Sequence, residues 1–351
     1  MKNYSTGVLH HDVAKAFDGF TTIAPIRHET SYIIDMAGEV VHSWKLPGDL
    51  GAKGYIIPNG NFLCSVVTPE GAPMKAAKGG HIVELDWDGN IVWEYVDHNQ
   101  HHDLRRLENG NTIYLAWEEL SAEDAAKVPG GMPETERDGK IYGDVVREVN
   151  QAGELVWEWH FKDVDYDAFP LAGDCERAEW AHANTVAPTL DGNVMISFRH
   201  LDTILIVDRE TKEIIWQQRD QSWGHQHNPE MLENGNITLF ANGMNNLQQP
   251  LNSRAIELDP KSGEVVWQFM DLNKWTFFSP IMGGVQRLAN GNSLICEALN
   301  GRVFEVTSDG DIVWDYVTPM VHYNAIFDGE SNAMFRAYRH TADSPEIASR
   351  L

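Results

Sequence analysis

The chain has 351 residues, with 52 Asp and Glu against 27 Lys and Arg and a formal net charge of −25. A composition of 42% hydrophobic and 23% charged residues belongs to a folded globular protein and excludes a disordered or fibrous chain. Uniform acidity repels phosphate backbones and anionic lipid, which excludes nucleic acid and membrane surface as natural partners.

The N-terminal stretch MKNYSTGVLHHDVAKAFDGF lacks the apolar centre of a signal peptide, and no run of eighteen apolar residues follows it. The expectation is a cytoplasmic chain, or a periplasmic one if a leader preceded this sequence. Three distant cysteines, Cys64, Cys175 and Cys296, signal neither a disulfide framework nor a thiolate zinc site.

From residue 31 onward the chain repeats itself. A Gly-x-β-β-Trp motif, drifting at its ends, appears as GEVVH at 38, GNIVW at 89, GELVW at 153, KEIIW at 212, GEVVW at 263 and GDIVW at 310. Between these copies an x-Gly-Asn turn appears at Gly60, Gly110, Gly192, Gly235 and Gly291, with a degenerate copy at Asp328-Gly329. Asn-Gly and Asp-Gly favour the tight turns that join antiparallel strands, and the flanks alternate apolar and polar. Each repeat therefore reads as four strands. In the second, these are predicted at His102–Leu107, Thr112–Trp117, Lys140–Val149 and Glu154–His160.

Such repeats predict an all-β, six-bladed β-propeller with four antiparallel strands per blade, forming one domain over residues 1–351. The first half-repeat, SYIIDMAGEVVHSW, supplies an outer hairpin, and Val321 to about Tyr338 an inner one. Together they form the last blade, so N-terminal strands close the ring. The recurring Trp93, Trp157, Trp216, Trp267 and Trp314 read as packing between blades. Glu84, Glu148, Asp208, Glu257 and Glu305 recur at one blade position as hydrogen-bond partners of hairpins. Two insertions, about 118–139 and 161–179, read as loops over one end of the channel.

The turn glycine acts as a ruler for the inner strands. His102 and His227 lie eight residues before Gly110 and Gly235, and His182 lies ten before Gly192. All three reach one rim. Seven residues after the same glycines the chain returns there, at Trp117, Arg199 and Asn242. Adjacent blades thus place three imidazoles, a guanidinium and an amide around one axial pocket, with Arg199 the natural anchor for a tetrahedral anion. GGHIVELD lacks the lysine and helix of a phosphate loop, and no GxSxG elbow occurs.

Four ordered segments carry a family likeness: DGFTTIAP with YIIDMAGEVVHSW, HHDLRRLENGNTIYL, EWAHANTVAPTLDGNVMISFRH, and GHQHNPEMLENGNITLFANG. Over about residues 7 to 345 they resemble the bacterial arylsulfotransferase family, whose members do not use the nucleotide sulfate donor. The resemblance implies a six-bladed propeller with its active site in the central channel, an aryl sulfate and a phenol as substrates, and no cofactor. It implies a ping-pong transfer in which His227 attacks sulfur to give a sulfohistidine. His102 of the HHD motif, His182 and Asn184 of the H-x-N motif, and Arg199 of the S-x-R motif complete the implied site, with Asn242 and Trp117 beside them. FANG stands where the family more often has FDNG, and the signal peptide, extra N-terminal β-domain and disulfide of periplasmic members are not evident.

Two other readings stay open. In one, His102, His182 and His227, with His322, bind a divalent metal in a lyase or hydrolase. In the other, the propeller is non-catalytic and binds a small anion or a protein, and a homodimer is compatible with any of the three.

Overall fold

The structure, a computed structural model, describes residues 5–244, 251–348 and 350–351. Strands form six radial four-stranded antiparallel sheets. Blade 1 runs Leu50–Ile56, Phe62–Val67, Gly80–Leu85 and Ile91–Val96 from the axis outward. Blade 2 is Gln100–Arg106, Thr112–Glu119, Tyr142–Val149 and Leu155–His160. Blade 3 spans Ala183–Pro188 to Ile214–Arg219, blade 4 His227–Met231 to Val265–Phe269, and blade 5 Gly284–Arg287 to Ile312–Val317. Among the described residues no helix is long and apolar enough to cross a membrane.

The ring closes differently from the predicted pairing of two hairpins. In blade 6 the C-terminal Met334–His340 is the innermost strand, and the N-terminal Phe20–Pro25, Thr30–Ile34 and Val40–Lys45 supply the other three. The predicted partner, His322–Asn324 with Gly329–Ser331, forms a separate hairpin instead. DGFTTIAP forms a strand, Phe20–Pro25, although it lacks the repeat's turn signal, and the Asp328-Gly329 turn belongs to the separate hairpin. A further N-terminal strand, Gly7–His11, pairs antiparallel with Ile312–Val317 and covers the edge of blade 5.

The repeated tryptophans join neighbouring blades. Nε1 of Trp93, Trp157, Trp216, Trp267 and Trp314 donates to the carbonyls of Gln151, Arg209, Pro260, Ser308 and Met36, each in the next blade's outer turn, at 2.9–3.0 Å. In blade 6 His42 takes the tryptophan position, and Trp44 completes the circle by donating to Asp86 O. The recurring glutamates form a second set of links. The turn amides Asn61, Asn111, Asn236 and Asn292 donate to Glu84, Glu148, Glu257 and Glu305 at 2.6–2.7 Å. The other oxygen of each glutamate takes an arginine from the following blade: Arg106, Arg209, Arg287 or Arg339. Each arginine also lies over its blade's neighbouring tryptophan, 4.5–5.4 Å from the ring centre. Asp208 instead caps its own turn at Glu210 and Thr211.

The two insertions pair with each other at one end of the channel. Gly130–Met132 and Leu171–Glu176 form a short parallel sheet, preceded by the helix Ala122–Lys127, whose N-cap Ser121 accepts from Asp124 N. All three cysteines are buried and unpaired.

Replacing Trp314, fully buried, by Phe leaves Met36 O without its donor and should cost about 1–3 kcal/mol by urea unfolding. Trp267→Phe, at a half-exposed position, should cost less; equal or reversed penalties would show that these hydrogen bonds do not tie the blades together.

Candidate functional site

Extra residues in the inner strands are what bring the histidines into the channel. In blade 2, Leu104 and His101 face Tyr114 and Leu115, so His102 and Asp103 have no opposite residue. Single extra residues occur between Ala183 and Thr185 and between His227 and Glu230. His102 and His182 adopt left-handed φ of +50° and +62°, and Asn228 +53°. For residues other than glycine that conformation costs roughly 1–2 kcal/mol each, held here by the packed ring around it.

His102, His182, Arg199 and His227 line one cavity of about 230 Å³. The other walls are apolar or glycine, among them Ile26, Ala52, Ile281, Phe327 and Phe335. Its mouth opens into a vestibule of about 570 Å³ that shares His182 and Arg199 and is edged by Asp174, Cys175 and Glu179 from the second insertion. Beyond the histidines the channel is closed by charge. Asp103 lies 2.9 Å from both Lys53 and Arg336, and Arg105 pairs with Glu230 at 3.0 Å.

His227 is held as one tautomer. Asn242 Nδ2 donates to Ser279 O and Met282 O at 2.8 and 2.7 Å, so its Oδ1 must face His227 Nδ1, 2.8 Å away. His225 O lies 3.1 Å from the same nitrogen. Two acceptors require a proton on Nδ1, which leaves the lone pair on Nε2. Only the Met282 N–H, at 3.3 Å, approaches that lone pair among the described residues.

His102 belongs to a chain of polar groups leading out of the cavity. Its Nδ1 lies 2.8 Å from His101 Nδ1, and His101 Nε2 lies 3.3 Å from Asp144 Oδ1, a charge contact outside hydrogen-bond alignment. Asp144 Oδ2 is fixed by the N–H groups of Ala181 and Ala183. His102 Nε2 makes no hydrogen bond to the described residues. The ring of His182 stands edge-on to His102 at 4.6 Å and stacks on His200 at 4.5 Å. Its Nδ1 lies 2.9 Å from Glu179 Oε2, again off the hydrogen-bond direction. Arg199 makes no side-chain hydrogen bond or ion pair among the described residues, although it lines the cavity. A half-buried guanidinium with no side-chain partner among the described residues has its donors free.

The remaining predicted residues stand behind the wall. Asn184 Nδ2 donates to Gln226 O at 2.7 Å, linking blades 3 and 4. Trp117 stacks on His101 at 4.2 Å and donates Nε1–H to Glu179. Asn242 orients His227. None of the three lines the cavity. His322 donates Nε2–H to Ile26 O at 2.9 Å and packs against His28, and it lines neither the cavity nor the vestibule. His102, His182 and His227 do not bring their ring nitrogens into one ligand set among the described residues. Sequence reading missed Asp144 and the apolar walls, which carry no spacing signal. His101 and Asn242 were visible beside the rim, but their actual contacts were not.

Burial holds His102, His182, His200 and His227 well below the usual histidine range, with positive neighbours, Arg199 among them, acting the same way. They are neutral at pH 7. Unfolded histidine titrates near 6.5, so above about pH 7 these groups give stability no pH dependence. Below that, the unfolded chain takes up protons the fold refuses, and stability falls with pH, by about 1.4 kcal/mol per unit for each group. Urea midpoints measured from pH 7.5 to 5 should show this decline, and His200→Asn should remove one proton's share of the slope. An unchanged slope in that variant would contradict the neutral assignment.

Fold and site together define a propeller whose channel pocket is lined by three histidines, an arginine and apolar side chains. A sequence model of the arylsulfotransferase (ASST) family matches residues 76–318, and the chain belongs to that family. No curated protein matches it by sequence. Among solved structures, a protein of unknown function from Bacteroides caccae superposes with a TM-score of 0.58 at 14% identity, covering 92% of this chain and 99% of that one. A streptogramin B lyase gives 0.51 at 10% identity, covering 95% and 93%. At those identities the likeness is one of fold.

Proposed function

We propose that the protein transfers a sulfuryl group from an aryl sulfate to a phenol through a sulfohistidine on His227. The observation that carries this reading is the pairing, in one apolar-walled cavity, of an imidazole whose Nε2 lone pair is fixed by Asn242 with an arginine that has no side-chain partner among the described residues. The arene of the donor occupies the apolar walls, and Arg199 and neutral His182 take the sulfuryl oxygens. His227 Nε2 attacks sulfur, the S–O bond to the arene breaks, and its electron pair leaves with the phenolate oxygen. That oxygen takes a proton from His102 Nε2, while His101 Nδ1–H passes its own proton to His102 Nδ1. For this step His101 must carry a proton on each nitrogen, with Nε2–H on the side of Asp144 Oδ1, 3.3 Å away.

The second half-reaction reverses each movement. An acceptor phenol gives its proton to His102 Nε2, His102 Nδ1–H returns one to His101, and the phenol oxygen attacks sulfur as the S–N bond to His227 breaks. Protons and charge balance over the cycle, and no external base is needed.

Incubation with p-nitrophenyl sulfate and phenol should release nitrophenol and give phenyl sulfate, with an acid-labile sulfate on His227 by mass spectrometry. His227→Ala should lower the rate by roughly 10⁴-fold or more and remove the adduct. Turnover that survives this change would end the proposal.

His101 touches no substrate in this scheme and acts as a positioning and proton-relay residue. His101→Gln should therefore slow donors with poorly acidic phenols, such as phenyl sulfate, by about 10²-fold or more, and p-nitrophenyl sulfate far less, since nitrophenolate departs without a proton. Equal losses for both donors would indicate a purely structural role.

A further inference from the structure

We propose that Asp174, Cys175 and His225 form a binding site for a thiophilic divalent cation, with zinc the best chemical match, at the mouth of the channel. The site is separate from the cavity histidines and does not depend on sulfuryl transfer. One ligand atom from each residue lies within 4.8 Å of the other two, and Cys175 and His225 are buried.

The orientation of His225 is the strongest point. Its Nδ1 lies 2.8 Å from Arg199 O, and a carbonyl only accepts, so Nδ1 carries a proton. Its Nε2 faces Asp174 Oδ2 at 3.4 Å, a contact that holds either a proton or a metal cation between the two atoms. Cys175 Sγ stands 3.9 Å from the other oxygen of Asp174. Zinc bonds of about 2.0–2.3 Å arranged tetrahedrally put neighbouring ligand atoms roughly 3.3–3.6 Å apart; the Asp174–His225 pair already meets this, and Cys175 Sγ, within 4.8 Å of both, has to close in on the ion. An imidazole held through a backbone carbonyl is the usual outer support of a metal-bound histidine. Sulfur with nitrogen selects zinc over magnesium or calcium.

The fourth coordination position faces the vestibule, where Arg199 and His200 also lie. Binding replaces the thiol proton, which leaves to solvent. Asp174 and Cys175 sit on the insertion strand Leu171–Glu176, whereas His225 precedes the inner strand of blade 4. An ion there would fasten the insertion to the rim beside Arg199 and so fix the shape of the opening.

The full-length protein, stripped with a chelator, should be titrated with Co²⁺ and then Zn²⁺. The expected result is one cobalt per chain, a thiolate-to-cobalt charge-transfer band in the near ultraviolet, and loss of that band on adding equimolar zinc. Cys175→Ser should abolish the band. Asp174→Asn, a change at an exposed side chain that leaves folding intact, should weaken zinc binding at least tenfold. Absence of the band in the unmodified chain, or zinc affinity unchanged in Asp174→Asn, overturns the proposal; the former leaves His225 as an imidazolium paired with Asp174.

Discussion

Everything in this molecule depends on how each blade is tied to the next. A tryptophan indole donates across every one of the six blade junctions, and at four of them an asparagine, a glutamate and an arginine make a second bridge over the same tryptophan. Buried hydrogen bonds of this kind contribute about 1 kcal/mol each, and more where charge assists. Their larger effect is geometric. Because the outer strands and their turns are tied to the next blade around a closed circle, the inner strands can depart from regular pairing without opening the ring.

Those departures create the site. Left-handed histidines and extra residues are unfavourable in an isolated strand, yet here they turn His102, His182 and His227 toward the axis. The same surroundings set their chemistry. Removed from water and placed near Arg199, the imidazoles are held neutral, as hydrogen-bond partners and not cations. A chain with a net charge of −25 thus encloses a pocket whose unpaired charge is positive. Deeper in the channel, burial and the charge of Arg105 pull Lys53 down to about 7, while Arg336 and Lys53 hold Asp103 below the usual carboxylate range against the opposing effect of burial. That network fills the channel beyond the histidines.

The period of the Gly-x-β-β-Trp motif determined the blade number, because five of its six copies set a tryptophan against the next blade and the sixth sets His42 there. The Gly-Asn turns determined which residues reach the rim, since a strand of given length ends where its turn dictates; His102, His182, His227 and Arg199 could be read this way. Tertiary structure alone decided which rim residues face inward. Trp117 and Asn242 share the register of Arg199, yet one packs behind His101 and the other behind His227, because the bulges lie in the partner strands and break simple alternation. It also decided the closure, in which three N-terminal strands join Met334–His340, and the pairing of the two insertions. Such pairings join segments far apart in the chain through backbone hydrogen bonds that any side chains allow, so their partners become fixed only when the ring is complete.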